Sequence, residues 1–138
     1  MDDPTPQVVV RDSGAGPYGQ LVFAGHHVGA ADEPERLGGL DTGMSPYEYL
    51  LAALGSCTAM TVRMYAARHD WPLETIRVEL RHVQEPGPVD RFERAITLTG
   101  PLDAERRARL LEIADKCPVS RTLGRASRVI SHLTEPEE

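Results

Sequence analysis

The stretch that most limits what this chain can fold into begins at Ser45. Ser45-Pro46-Tyr47-Glu48 combines an N-cap Ser, a Pro at the first helical position and a Glu at the third, a set that satisfies the free amides of a helix start. Fourteen residues without a charge, Tyr49 to Val62, follow. The helix is expected to run from Pro46 to about His69 and to stop at Trp71-Pro72, because the residue before a proline is pushed out of the helical region. Its middle is apolar on every face, through Leu50, Leu51, Ala52, Ala53, Leu54, Ala59, Met60 and Val62. A helix without a polar stripe has to be surrounded by other elements, and fourteen uncharged residues are too few to cross a bilayer. The chain is therefore expected to build itself around this helix, where Ala52, Ala53, Gly55, Ser56 and Ala59 let another backbone come close around Cys57.

Strands are expected on both sides of it. Gln7 to Arg11 and Gln20 to Ala24 are β-branched, apolar runs joined by a glycine-rich turn, and a short strand from His26 to Ala30 follows the Ala24-Gly25 turn. Asp32 to Met44 has no period and reads as a long, candidate functional loop. Beyond the helix, Ile76 to Val83 places Ile76, Val78, Leu80 and His82 on one face, and Phe92 to Thr99 places Phe92, Arg94, Ile96 and Leu98 on one face. Glu85-Pro86-Gly87-Pro88 links them as a hairpin. Asp103 caps a second helix with the stripe Leu110, Leu111, Ile113, Ala114 and Cys117, and Pro118 starts a short turn through Leu123 closed by Gly124. Arg128 to Leu133 reads as a last strand. The fold class is α+β, antiparallel hairpins packed around a long central helix. At 138 residues the chain is expected to be one domain, 1–138, with Glu135-Pro136-Glu137-Glu138 as a frayed tail.

Charge narrows the function. Twenty-one acidic against fifteen basic residues give a net charge of −6, which repels phosphate backbones and anionic membranes, so neither nucleic acid nor membrane is expected as a partner. Aromatic residues make up only 5% of the chain, too sparse for a base-stacking platform. Met1-Asp2-Asp3-Pro4 has neither a basic nor an apolar leader region, so a cytoplasmic location is expected. In that compartment Cys57 and Cys117 are buried free thiols or redox-active ones.

Several patterns have plain explanations. Gly14 to Gly19 matches GxGxxG, but the strand that follows it, where a dinucleotide site needs a helix, makes it a hairpin turn. His26 and His27, adjacent on a strand, point to opposite faces, and no His or Cys spacing fits a metal, so no metal and no cofactor are expected. His69 suits the negative end of the long helix. Glu48 is explained by the capping box and lies nine residues, about 13 Å of helix axis, from Cys57, so it can reach a Cys57 only across a subunit interface. The thiols themselves are commonly buried packing groups. Cys117 at the start of the Pro118 turn, close in sequence to Lys116 and Arg121, nevertheless has surroundings that favour a thiolate.

Ser45-Pro46-Tyr47-Glu48-Tyr49-Leu50-Leu51-Ala52-Ala53-Leu54-Gly55-Ser56-Cys57, together with Cys117-Pro118-Val119-Ser120-Arg121, resembles the OsmC/Ohr family of osmotically inducible and organic-hydroperoxide-resistance proteins. The resemblance implies an intertwined homodimer with active sites at the interface. It also implies a thiol peroxidase that reduces organic hydroperoxides, with Cys57 peroxidatic and Cys117 resolving, recycled by an external dithiol such as lipoamide on a lipoyl protein. In well-studied members a Glu directly follows the Pro of the helix start and pairs with an Arg. Here that slot is Tyr47, and Glu48 comes one residue later, turned by ~100°. The Arg is not placed by motif; Arg36 in the long loop and Arg11 near the first turn are the candidates, Arg36 preferred because loops supply gating cations. The Tyr47 slot is similar to a less characterised branch, for which a redox-sensing or small-molecule-binding role without turnover is the alternative.

Overall fold

The computed structural model describes residues 7–136; Met1 to Pro4 and the last two residues of the acidic tail lie outside them. The described chain divides into two compact units. One holds the chain up to Ala52 together with Pro86–Asp90, the other Ala53–Glu85 and the chain from Arg91 onward.

The first unit contains β1 (Val9–Asp12), β2 (Gln20–Ala24) and β3 (His27–Ala31), an antiparallel sheet in the order β1-β2-β3. The glycine motif is a hairpin connection, closed by the Ser13 amide donating to the Gly19 carbonyl at 3.0 Å. Gly25 takes φ 61°, the positive dihedral that a primed hairpin turn needs at its first central residue. That turn includes His26, so β3 starts one residue later than the pattern suggests. The two imidazoles are therefore not on opposite faces of a strand: their rings lie side by side, 4.2 Å between centroids.

The long loop is organised around one buried carboxylate. Asp32 accepts from the amides of Glu33 (2.7 Å), Leu40 (3.3 Å) and Thr42 (3.1 Å) and from the Thr42 hydroxyl (2.7 Å). One 3-10 turn, Glu35–Leu37, is closed by Gly38 at φ 91°. The chain then enters α1 (Pro46–Arg68) through the expected capping box: the Glu48 amide donates to Ser45 Oγ at 3.3 Å and the Ser45 amide to Glu48 Oε1 at 3.0 Å. Tyr49 Oη donates to the Ala30 carbonyl at 2.7 Å and ties this first turn to β3.

In the second unit α1 ends at a Schellman motif. Trp71 N–H bonds the Ala66 carbonyl, Asp70 N–H bonds the Ala67 carbonyl, and Asp70 takes the left-handed conformation at φ 53°. The accompanying apolar contact is Trp71 against Tyr65, 5.5 Å between ring centroids. His69 closes the end as expected, its Nδ1 2.9 Å from the Tyr65 carbonyl. β4 (Thr75–Gln84) and β5 (Asp90–Thr99) pair as a hairpin in which Thr75 meets Thr99, Arg81 meets Glu93 and His82 stacks on Phe92. Gly100 at φ 124° makes the corner, where a Cβ would stand 2.2 Å from the Pro72 carbonyl oxygen. Arg107 holds that corner by donating to the carbonyls of Leu98, Gly100 and Leu102. α2 (Ala104–Asp115) starts at Asp103, whose side chain accepts from the Arg106 amide, and α3 (Pro118–Leu123) follows from Cys117. The core packs Val62 and Ala66 of α1 with Leu73, Leu102, Leu110 and Ala114.

Two further expectations are corrected. Arg128 to Leu133 forms no strand, and Val129 and Leu133 are 89% and 100% exposed. Its β-branched composition supplies propensity only, and no strand edge among the described residues pairs with it. Nor is α1 surrounded in the single chain. Only the stripe Leu54, Gly55, Thr58, Val62, Ala66 is buried, while Met60 and Met64 on another face stay 63% and 50% exposed. By length and composition α1 is long and apolar enough to span a membrane, unlike the uncharged run alone; the stripe packed into the core marks it as a core helix.

Candidate active site

Cys57 and Cys117 both belong to the second unit. Cys57 is half-buried on α1, and no hydrogen bond to its sulfur forms among the described residues. Cys117 is wholly buried at the junction of α2 and α3. Pro118 fixes the backbone there and leaves the Cys117 side chain to act as N-cap, so that its sulfur accepts from the Ser120 amide at 3.4 Å. The same sulfur lies 3.8 Å from the hydroxyl of Thr58, the chain neighbour of Cys57. Cys117 thus lies against the residue of α1 that follows Cys57.

One cation braces this turn. Arg94 Nη1 donates to Thr58 Oγ1 at 3.0 Å and to the Ala114 carbonyl at 3.1 Å, and Nη2 meets Asp115 Oδ1 at 2.9 Å. The arginine is 14% exposed, so it joins α1, β5 and the end of α2 largely out of water, where a charge-assisted bond is stronger than at a surface.

The other candidates lie in the first unit. Arg36 sits exposed on the 3-10 turn and forms no ion pair among the described residues. It lines a cleft of about 580 Å³ with Leu37, Asp41, Tyr47 and Glu48, so Arg36 and Glu48 share one surface. Glu48 is held ionised: the Ser45 amide, then the Ser45 hydroxyl, keep its carboxyl below the ordinary carboxylate value. Arg11 lies on β1, its guanidinium 5.3 Å from the centre of the Phe23 ring.

Three contributors escape a reading by motif. Thr58 carries no signal beyond following Cys57. Arg94 carries one, a cation in the apolar alternation Phe92, Arg94, Ile96, Leu98. Asp32 stands among other acidic loop residues, and nothing in the sequence separates it from Glu33 or Asp41. Among the described residues no group of three or more His, Cys, Asp or Glu could hold a metal ion.

Fold and site together define a two-thiol α+β protein with one thiol on a long core helix and the other at a helix-proline junction. The OsmC-like protein family model matches residues 39–132, and the chain belongs to that family. Solved structures agree on the fold. An OsmC-like protein from Mycoplasma pneumoniae superposes with a TM-score of 0.75 at 14% identity, covering 89% of each chain. An organic hydroperoxide resistance protein OsmC from Legionella pneumophila gives 0.66 at 20% identity over 89% of this chain and 91% of that one. The organic hydroperoxide resistance protein OhrB of Bacillus subtilis gives 0.55 at 21% identity over 86% and 89%. No curated protein matches significantly.

Proposed function

We propose that this protein is a cytoplasmic, thiol-dependent peroxidase that reduces organic hydroperoxides to alcohols. The observation that carries the reading is the contact at 3.8 Å between Cys117 Sγ and Thr58 Oγ1, which puts a second sulfur at the helical turn of Cys57. The family includes proteins named for organic hydroperoxide resistance, and the half-buried Cys57 is the thiol a small substrate reaches first.

In this mechanism the Cys57 thiolate attacks the distal peroxide oxygen, the O–O bond breaks, and the alcohol leaves with a proton. Cys117 then attacks the sulfenic sulfur of Cys57, the S–O bond breaks and water leaves, giving the disulfide. A dithiol, such as lipoamide on a lipoyl protein, reduces it by exchange. Arg36 supplies the cation that polarises the peroxide, and Glu48 the carboxylate beside it. Glu48 precedes Cys57 by nine residues of the same helix, about 13 Å of axis, so its service to a thiol is across a subunit interface. A homodimer fits both this and the apolar surface a single chain leaves open, Met60 and Met64 on α1 and Val129, Ile130 and Leu133 beyond α3.

One observation favours a second reading, a redox sensor oxidised stoichiometrically. Cys117 is wholly buried and caps α3, so forming a disulfide has to break that cap. Steady-state consumption of cumene hydroperoxide with dihydrolipoamide separates the two. The peroxidase turns over many times per subunit, Cys57→Ser stops it, and Cys117→Ser leaves a sulfenic acid that dimedone traps. A single turnover, or turnover unchanged in Cys57→Ser, contradicts it.

A further inference from the structure

The hydroxyl of Thr58 has one proton and two lone pairs, and three neighbours. Arg94 Nη1, 3.0 Å away, can only donate and takes one lone pair. The hydroxyl proton is directed to the Leu54 carbonyl at 2.6 Å, the bond a threonine makes back into its own helix. What Thr58 then offers Cys117 Sγ at 3.8 Å, a contact in which either atom could donate, is its second lone pair, an arrangement that suits a thiol donor.

A thiolate at the same place has no proton to give, and the arrangement has an answer built in. The hydroxyl turns about Cβ–Oγ1 and donates to the sulfur, while the Leu54 carbonyl keeps its helical bond from the Thr58 amide. Arg94 does not have to move, because the Ala114 carbonyl at 3.1 Å and Asp115 at 2.9 Å hold it in both states. The Ser120 amide donates to the sulfur throughout.

We propose that Thr58 and Arg94 are the positioning residues of Cys117: Thr58 readies it for thiolate chemistry by turning one proton from the Leu54 carbonyl to the sulfur, and Arg94 fixes the hydroxyl that turns. The inference rests on the reading of Cys117 as the thiol that attacks a Cys57 sulfenic acid. In that step the Cys117–Cys57 S–S bond forms, the S–O bond breaks, and the hydroxide that leaves is protonated to water. Among the charged groups linked to Cys117 by contact or by chain are Arg94 of β5, bonded to Thr58 and to Asp115 at the end of α2, the sequence neighbour Lys116, and Arg121 of α3, whose amide donates to the Cys117 carbonyl at 3.1 Å.

The test follows the thiol without any hydroperoxide, so its failure and that of the peroxidase reading are distinct. In a Cys57→Ser background, the rate at which methyl methanethiosulfonate modifies Cys117 is measured across pH. Thr58→Val, which keeps the volume and loses the hydroxyl, is expected to slow modification by roughly five- to tenfold and to move its pH profile to higher pH; Thr58→Ser restores both. A merely structural role has the opposite sign, because loosened packing exposes a buried thiol and speeds its modification. An unchanged or faster rate in Thr58→Val overturns the proposal. Should that variant not fold, Arg94→Lys keeps the charge but cannot hold Thr58, Ala114 and Asp115 at once, and is expected to slow modification about threefold; no slowing overturns the proposal equally.

Discussion

The loop and helix start of the first unit and the thiol turn of the second both hold polar residues suited to chemistry, yet they are tied down over very different spans of chain. Around Asp32 and Glu48 every hydrogen bond that fixes a carboxylate reaches at most ten residues along the sequence. Around Cys117 the bracing bonds join residues twenty to fifty-nine apart. Local bonds form with their loop and leave Arg36 exposed, without an ion pair among the described residues; long-range bonds exist only once α1, β5 and α2 have packed. In the proposed function the first region would thus present its cation with little folding cost, whereas the reactivity of the second would depend on an intact core.

The sharpest way to break this contrast is to remove the sulfur. Cys57→Ser should reduce hydroperoxide turnover to the uncatalysed rate in a peroxide-consumption assay, while Arg36→Ala, acting by polarisation alone, should lower it by roughly ten- to a hundredfold. Equal effects, or none, would mean that the two regions do not divide the work as proposed.

Next in size is the dependence of the thiol turn on the core. Leu110 is buried in the cluster that contains Ala114, whose carbonyl holds Arg94. Leu110→Ala should cost about 2–5 kcal/mol in urea unfolding and open Cys117 to alkylation in the native protein. A stability loss without faster alkylation would uncouple the core from the thiol.

Ser45→Ala removes the N-cap and should cost about 0.5–2 kcal/mol, read from the same urea curves. It leaves the Ser45 amide bonded to Glu48 Oε1 and removes only the hydroxyl, so its effect on turnover reports the hydroxyl's share in restraining that carboxylate.

The smallest effect is on acid stability. Asp32 sits below its ordinary value of 3.8, chiefly because the Thr42 hydroxyl and then the loop amides donate to it, against the opposing effect of burial. A carboxyl lowered in the fold binds fewer protons there than in the unfolded chain, so its contribution is full above 3.8 and is lost as pH falls below that value toward the folded one. Asp32→Asn should flatten that acid limb when urea midpoints at about pH 5 and pH 3 are compared. Glu48 titrates in the same direction, and Glu48→Gln is the control that separates the two.

The same difference in span explains what could be read from the chain alone. The capping box at Ser45, the cap at Asp103, the Pro118 turn and the alternation of β4 and β5 are local, and each stands where the residues indicate. The end of α1, expected near His69 and found at Arg68, is legible as well, but the left-handed Asp70 beyond it is not, because a non-glycine residue in that conformation gives no composition signal. Arg128 to Leu133 has strand-forming residues, but pairing needs a partner edge, and no strand among the described residues pairs with it. Of the candidate residues, both cysteines, Arg36 and Glu48 are legible by type and position, though not the cleft that Arg36 and Glu48 line together. Thr58 and Arg94 are not, since only tertiary packing gives a threonine after a cysteine and an arginine on an apolar face a common partner.

The most direct test of the account is a mass and free-thiol count of the native protein before and after one equivalent of cumene hydroperoxide, then after dihydrolipoamide. A linked Cys57 and Cys117 predict the loss of both thiols and of about 2 Da, reversed by the dithiol. An unchanged mass, or oxygen added to Cys57 with Cys117 still free, would contradict it.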